Sequence, residues 1–206
     1  MADLGLVHIV DDDSAVRSSL GSLVRSVGHE ARLYGTANEF LGSELPRVPS
    51  CVLLDIRLPG ANGLDLQESL IRVGVLVPVI LMSGHGDIQM SVRGMKAGAI
   101  DFLTKPMRHQ DVLDAVALAV DRDRERRLRQ AKTDAVKVRH AKLTPREREV
   151  LNLVTAGRLN KQIASSLNLS EITVKMHRGS VMKKMGAGSV AELVRMTEIL
   201  RLADGR

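Results

Sequence analysis

The chain has 206 residues, 44% of them hydrophobic, with a net charge of +6, a single cysteine, two Phe, one Tyr and no Trp. That length suits one large or two modest domains with ordinary cores, and a lone Cys51 excludes an intramolecular disulfide. The N-terminus lacks the basic segment and long apolar run of a secretion signal, and the longest apolar stretch, Val73 to Met82, is about half of the roughly 20 residues that a membrane helix needs. A cytoplasmic protein with no membrane partner is expected.

Charge divides the chain. Residues 1–120 carry ten Lys and Arg against fourteen Asp and Glu, whereas residues 121–206 carry twenty against ten. An acidic half joined to a basic half suggests a regulatory or metal-binding module tethered to one that meets a polyanion.

In chain order, apolar runs near Leu6–Val10, Glu30–Tyr34, Cys51–Leu54, Val79–Met82 and Ile100–Leu103 predict five strands. The segments between them carry apolar residues at helical spacing, as in Val16, Leu20, Leu23, Val24 and Val27, and Asp13 is placed to cap the first helix. Strands that are apolar throughout and separated by helices predict an α/β doubly wound, five-stranded parallel sheet, flavodoxin-like in order. Asp121 to Lys142 holds nine Lys and Arg, four acids and no Gly or Pro, so the fifth helix is expected to run on as a charged, solvated linker. Ala117, Val120, Leu128, Ala131, Ala135 and Val138 mark only a weak stripe along it.

A small all-α four-helix domain is predicted next. Thr144, Pro145 and Glu147 supply an N-cap, a helix-ready proline and the N3 acid of a capping box. Helices near 161–167 and 171–185, joined through Asn168, Leu169 and the N-cap Ser170, form a helix-turn-helix, and a fourth near 190–202 is apolar through Leu193, Val194, Ile199 and Leu200. The expected domains are therefore 1–121, a linker 122–141, and 142–206.

Polar residues stand where the apolar runs stop: Asp11 and Asp12, Asp55, Ser83 and Lys105. A parallel sheet would bring these strand ends into one crevice. Three acids so close raise one another's pKa, which calls for a cation, and a few carboxylates with open positions for phosphate oxygens suit Mg²⁺. Phosphoryl chemistry at a carboxylate follows. The run SGHGD at 83–87 has Gln89 where a dinucleotide fingerprint needs a third glycine, so nucleotide binding is disfavoured.

The segments VDDDS (10–14), LDIRLPGANG (54–63), MSGHGD (82–87) and DFLTKP (101–106), followed by LTPREREVL and GRLNKQIASSLNLSEITVKMHRGSVMKKMGA, resemble a two-component response regulator of the FixJ/NarL subfamily. That family joins a receiver domain to a LuxR-type helix-turn-helix. The resemblance implies that Asp55 accepts a phosphoryl group from a sensor histidine kinase. It implies that Asp12, Asp55 and the backbone carbonyl of Arg57 hold Mg²⁺, with Asp11 orienting a water on the ion. Lys105 and Ser83 would contact the phosphoryl oxygens, Phe102 would turn inward with Ser83, and Lys105-Pro106 would be cis. No enzyme is implied beyond the chain's part in its own phosphotransfer and dephosphorylation; the haloacid-dehalogenase alternative needs an Asp where Arg57 stands. A binding module that oligomerises without phosphorylation is the other alternative.

On the expected recognition helix, Val174, Val181 and Met185 should face the core. By the family's docking, Lys175, Met176 and Gly179 face base edges, Lys161, Thr173 and Arg178 address phosphates or the groove margin, and Lys183 shares the helix. Few aromatics disfavour single strands and RNA, leaving double-stranded promoter DNA, with RNA polymerase and a phosphorylation-induced homodimer as further expected partners.

Overall fold

The computed structural model describes residues 5–44, 47–72, 74–84 and 88–203. The motif positions 85–87 lie outside these. Two compact units divide the chain, residues 1–127 and 128–206.

In the first unit, β1 (Leu6–Val10), β2 (Glu30–Tyr34), β3 (Ser50–Asp55), β6 (Val79–Ser83) and β7 (Asp101–Thr104) form one sheet in the order β2-β1-β3-β6-β7, parallel throughout. β4 (Arg57–Leu58) and β5 (Ala61–Asn62) make a short antiparallel ribbon inside the LDIRLPGANG segment, which the apolar pattern did not foretell. The helices are α1 (Ser14–Ser26), α2 (Ala37–Leu41), α3 (Gly63–Arg72), α4 (Ile88–Lys96) and α5 (His109–Ala141).

Both sheet faces are covered, because β1, β3 and β6 are apolar on both sides of the pleat. Val7, Ile9, Leu53 and Ile80 pack with Leu20, Val24, Val112 and Val116 on one face. Val10, Leu54 and Leu81 pack with Phe40, Leu64 and Leu70 on the other. Asp13 caps α1 as expected, its carboxylate accepting the amides of Ala15 and Val16. Val27 departs from the expected apolar stripe: it is the C-cap of α1 and is exposed.

Polar groups are buried in this unit as well, among them His8. His8 is fully buried, stacks with Tyr34 and meets Phe40 edge-on, and its Nδ1 lies 3.0 Å from the Tyr34 hydroxyl. Burial, assisted by the Arg32 charge, lowers its pKa to about 4. Protonation therefore favours the unfolded chain, and the His8 contribution is lost as pH falls from about 6.5 towards 4. His8→Phe is expected to flatten this part of the stability–pH curve of the first unit, monitored by Tyr34 fluorescence.

In the second unit, α6 (Pro145–Thr155), α7 (Asn160–Leu167), α8 (Glu171–Met185) and α9 (Val190–Ala203) enclose Val150, Leu151, Ile163, Val174, Val181, Met185 and Leu193. The tight α7–α8 turn depends on Asn168, whose φ of 51° is left-handed, a conformation that Asn tolerates. α9 buries Leu193 and packs Leu200 against the core as expected, and adds Met196 and Thr197 to the inward face, while Val194 and Ile199 are half-buried.

The charged stretch after residue 121 is helical, but it is not uniformly solvated. Leu128 and Val138, from the expected stripe, are exposed. Val136 packs into the core of the second unit, where Arg139 also donates to the Met185 carbonyl at 3.2 Å. Asp123 is fully buried in the first unit. It accepts the Ser50 amide at 2.9 Å and holds Arg126 and Arg127 at 2.6 Å each.

Candidate functional site

The parallel register sets Val10 beside Leu54 and Asp55 beside Met82, so Asp11, Asp55 and Ser83 leave the sheet at neighbouring strand ends. Lys105 follows β7, its amide donating to the Ser83 carbonyl at 2.7 Å ahead of a cis bond to Pro106. The LDIRLPGANG segment folds back so tightly that a Cβ on Gly63 would lie 2.4 Å from the Asp55 carbonyl oxygen. Only glycine fits there.

Asp11 is fully buried, Asp55 is 6% exposed and Asp12 is exposed, and one carboxylate oxygen from each lies within 4.8 Å of the other two. Asp11 and Asp55 are bound alike. Asp11 accepts the Asp13 amide on Oδ1 and the Lys105 ammonium on Oδ2, at 2.9 and 2.6 Å. Asp55 accepts the Arg57 amide on Oδ1 and the same ammonium on Oδ2, at 2.9 and 2.5 Å. Ser83 is buried at the end of β6, and Phe102 on β7 is half-buried.

Burial is the largest influence on Asp11 and raises its pKa; Lys105 opposes this, and the neighbouring charge of Asp55 adds less. Burial draws the Lys105 ammonium down, but Asp11 and Asp55 together outweigh it and its pKa is raised. Like-charge repulsion is therefore not the main influence in the crevice, contrary to the expectation from the sequence. The first cation in the crevice is the chain's own Lys105, and desolvation perturbs Asp11 more than crowding does. The donor set still fits a hard divalent ion: of three clustered carboxylates two share one ammonium, and the third, Asp12, opens the cluster to solvent.

In the second unit, Thr144 and Glu147 form the expected capping box. Sequence spacing did not reveal that Glu147 is also a buried hub, which accepts the Ser180 hydroxyl and pairs with Lys184 at 2.7 Å. Those partners lie more than thirty residues away, beyond the reach of any local pattern. Glu147 thus fixes α8 against the start of α6.

α8 is about 22 Å long at 1.5 Å per residue, enough to lie across a major groove. Val174, Val181 and Met185 face inward as expected. Lys175, Met176, Gly179 and Lys183 are exposed along α8, as is Lys161 on α7. Thr173 is half-buried, its hydroxyl 2.8 Å from that of the N-cap Ser170. Arg178 is half-buried and donates to Asn160 Oδ1 at 2.7 Å, a tie between α8 and α7 absent from the sequence reading. A Cβ on Gly179 would meet nothing within 4 Å, so Gly179→Ala is expected to stabilise this unit by about 1 kcal/mol through helix propensity, measured by urea denaturation.

Two family models match the chain. Residues 7–117 match the response regulator receiver domain, and residues 141–197 match the bacterial regulatory proteins of the luxR family. Nodulation protein W of Bradyrhizobium diazoefficiens is 51% identical over 96% of this chain and 87% of its own length. The transcriptional regulatory protein FixJ of Azorhizobium caulinodans is 40% identical over 96% and 93%. The solved structure of the response regulator StyR is 42% identical, with a TM-score of 0.87 over 96% of this chain and 99% of that one. Receiver domains bind Mg²⁺ at an acidic pocket, and the Asp11, Asp12 and Asp55 cluster is such a pocket. A receiver joined to a DNA-binding domain implies a histidine kinase and promoter DNA as partners. The strand-end carboxylates, the Lys105 bridge and the exposed basic helix thus have their place in one lineage: the chain belongs to the response regulators that join a receiver to a luxR-family DNA-binding domain, as transcriptional regulators such as FixJ do.

Proposed function

We propose that Asp55 is the phosphoacceptor and that its phosphorylation controls DNA binding by α8. The carrying observation is the shared Lys105 ammonium, which touches both Asp11 and Asp55 in a buried crevice. An Asp55 carboxylate oxygen forms the new P–O bond while the P–N bond of the kinase phosphohistidine breaks and the imidazole leaves. Asp11, Asp12, Asp55 and the Arg57 carbonyl would hold Mg²⁺. When bound, that ion neutralises charge on the transferring group. Lys105, kept protonated by its two carboxylates, exchanges its Asp55 contact for a phosphoryl oxygen. Ser83, buried at the adjacent strand end, supplies a hydroxyl to the same group, and Phe102 on the next strand follows it.

In the second unit, Lys175, Met176 and Gly179 face base edges. Lys161, Thr173 and Lys183 address the backbone, with Arg178 braced by Asn160 as it does so. The folded domains take the bounds 1–121 and 142–206, and the charged helix between is anchored to the first through Asp123 and to the second through Val136. Phosphorylation promotes a homodimer that presents two recognition helices to half-sites about 34 Å apart and engages RNA polymerase. The chain is a transcription factor that assists its own phosphotransfer and dephosphorylation, not an enzyme acting on other substrates. Beryllofluoride with Mg²⁺ is expected to raise both the solution mass and the affinity for DNA selected from a randomised pool. No change in either would contradict the coupling.

A further inference from the structure

Two large aliphatic side chains on α8 stand in water: Ile172 is 74% exposed and Met176 is 71% exposed. A single exposed aliphatic residue says little. These two are four residues apart and so lie on one face of the helix, which also carries Lys175, Gly179 and Lys183. None of the described residues of the second unit buries either one, and leaving a side chain of this size in water forgoes a substantial gain available on burial. The occupant of this face must be polyanionic at its edges, to suit Lys175 and Lys183, and apolar at its centre.

The major groove of duplex DNA has that character where thymines occur, because the C5-methyl of thymine is the apolar group that base pairs present there. Extending the reading of α8 as the recognition helix, on which this rests, we propose that Ile172 and Met176 read thymine methyl groups in two nearby base pairs. Four residues of helix rise about 6 Å, close to two base-pair steps of about 3.4 Å. Gly179 adds to the case. It stands one turn beyond Met176 with open space where a side chain would be, so the backbone can approach the groove floor closely enough for Met176 to reach a methyl. The substrate class is duplex DNA whose half-site carries thymine at two positions within one turn of the recognition helix.

The test uses the full chain with Mg²⁺ and beryllofluoride. Duplexes are selected from a randomised pool, and each thymine in the recovered half-site is replaced in turn by uracil, which removes the methyl and leaves the base-pairing edge intact. Each of two positions is expected to weaken binding about fourfold, the value of one buried methyl group. In an Ile172→Ala, Met176→Ala variant, the same uracil duplexes should bind as well as their thymine parents. Both side chains are exposed, so the variant keeps the fold, verified by circular dichroism. Wild-type binding indifferent to uracil, or a variant that stays equally sensitive, would overturn the thymine reading and leave DNA binding standing. Failure to recover any bound sequence would overturn both.

Discussion

Replacing Glu147 by alanine is expected to destabilise the DNA-binding unit by about 1.5–3 kcal/mol, the usual range for losing hydrogen bonds to a charged group when the remaining partner, Lys184, can reach water. The buried carboxylate holds Lys184, Ser180 and the Thr144 amide at once, so its loss frees α8 from the cap of α6. Hydrogen exchange of α6 and α8 amides would report it, because residues 128–206 contain no Trp, Tyr or Phe. The same contacts, Lys184 foremost, lower the Glu147 pKa to about 2 from 4.5. Stability from this group is therefore present above pH 4.5 and lost as pH falls towards 2. Glu147→Gln should remove that acid limb. A Glu147→Ala chain as protected as wild type would show that the hub contributes nothing.

The second large effect is expected at Lys105. In Lys105→Ala, Asp11 and Asp55 lose their common ammonium, and without Mg²⁺ the receiver should lose about 3–5 kcal/mol near neutral pH. The pH dependence carries a sign. The raised pKa of Asp11 means the folded state holds its proton longer than the unfolded chain, so stability falls as pH rises from about 3.8 towards the folded value. Removing Lys105 steepens the fall. The raised Lys105 pKa works in the opposite sense: its contribution is whole below about pH 10.5 and lost as pH rises through the folded value. Millimolar Mg²⁺ should restore much of the variant's stability, since a second cation then enters the same cluster. Denaturant titrations with and without Mg²⁺ measure this, and a variant as stable as wild type in metal-free buffer would contradict it.

Much of the fold was legible because its signals are local. Each of the five apolar runs ends within two residues of an observed strand end, and Asp13, Thr144 and Ser170 cap the helices that they precede. What escaped depends on contacts between distant residues. Asp123 reads as one acid among many in a charged linker, yet it is buried because the Ser50 amide and two arginines meet it. Val136, at no position of the expected stripe, is the linker residue that packs into the second core. The Asp11 and Asp55 pairing with one lysine joins positions 94 and 50 residues apart, which spacing arguments cannot see. The site residues themselves were visible because strand ends in a parallel sheet converge whatever their separation in sequence.

The central claim, that Asp55 is the phosphoacceptor, is tested most directly by incubating the protein with Mg²⁺ and acetyl phosphate beside Asp55→Ala and locating covalent phosphate by intact mass. One phosphoryl group on wild type and none on the variant is the predicted result, with wild-type labelling lost when Mg²⁺ is chelated. Equal labelling of both chains, or none on wild type, would contradict it.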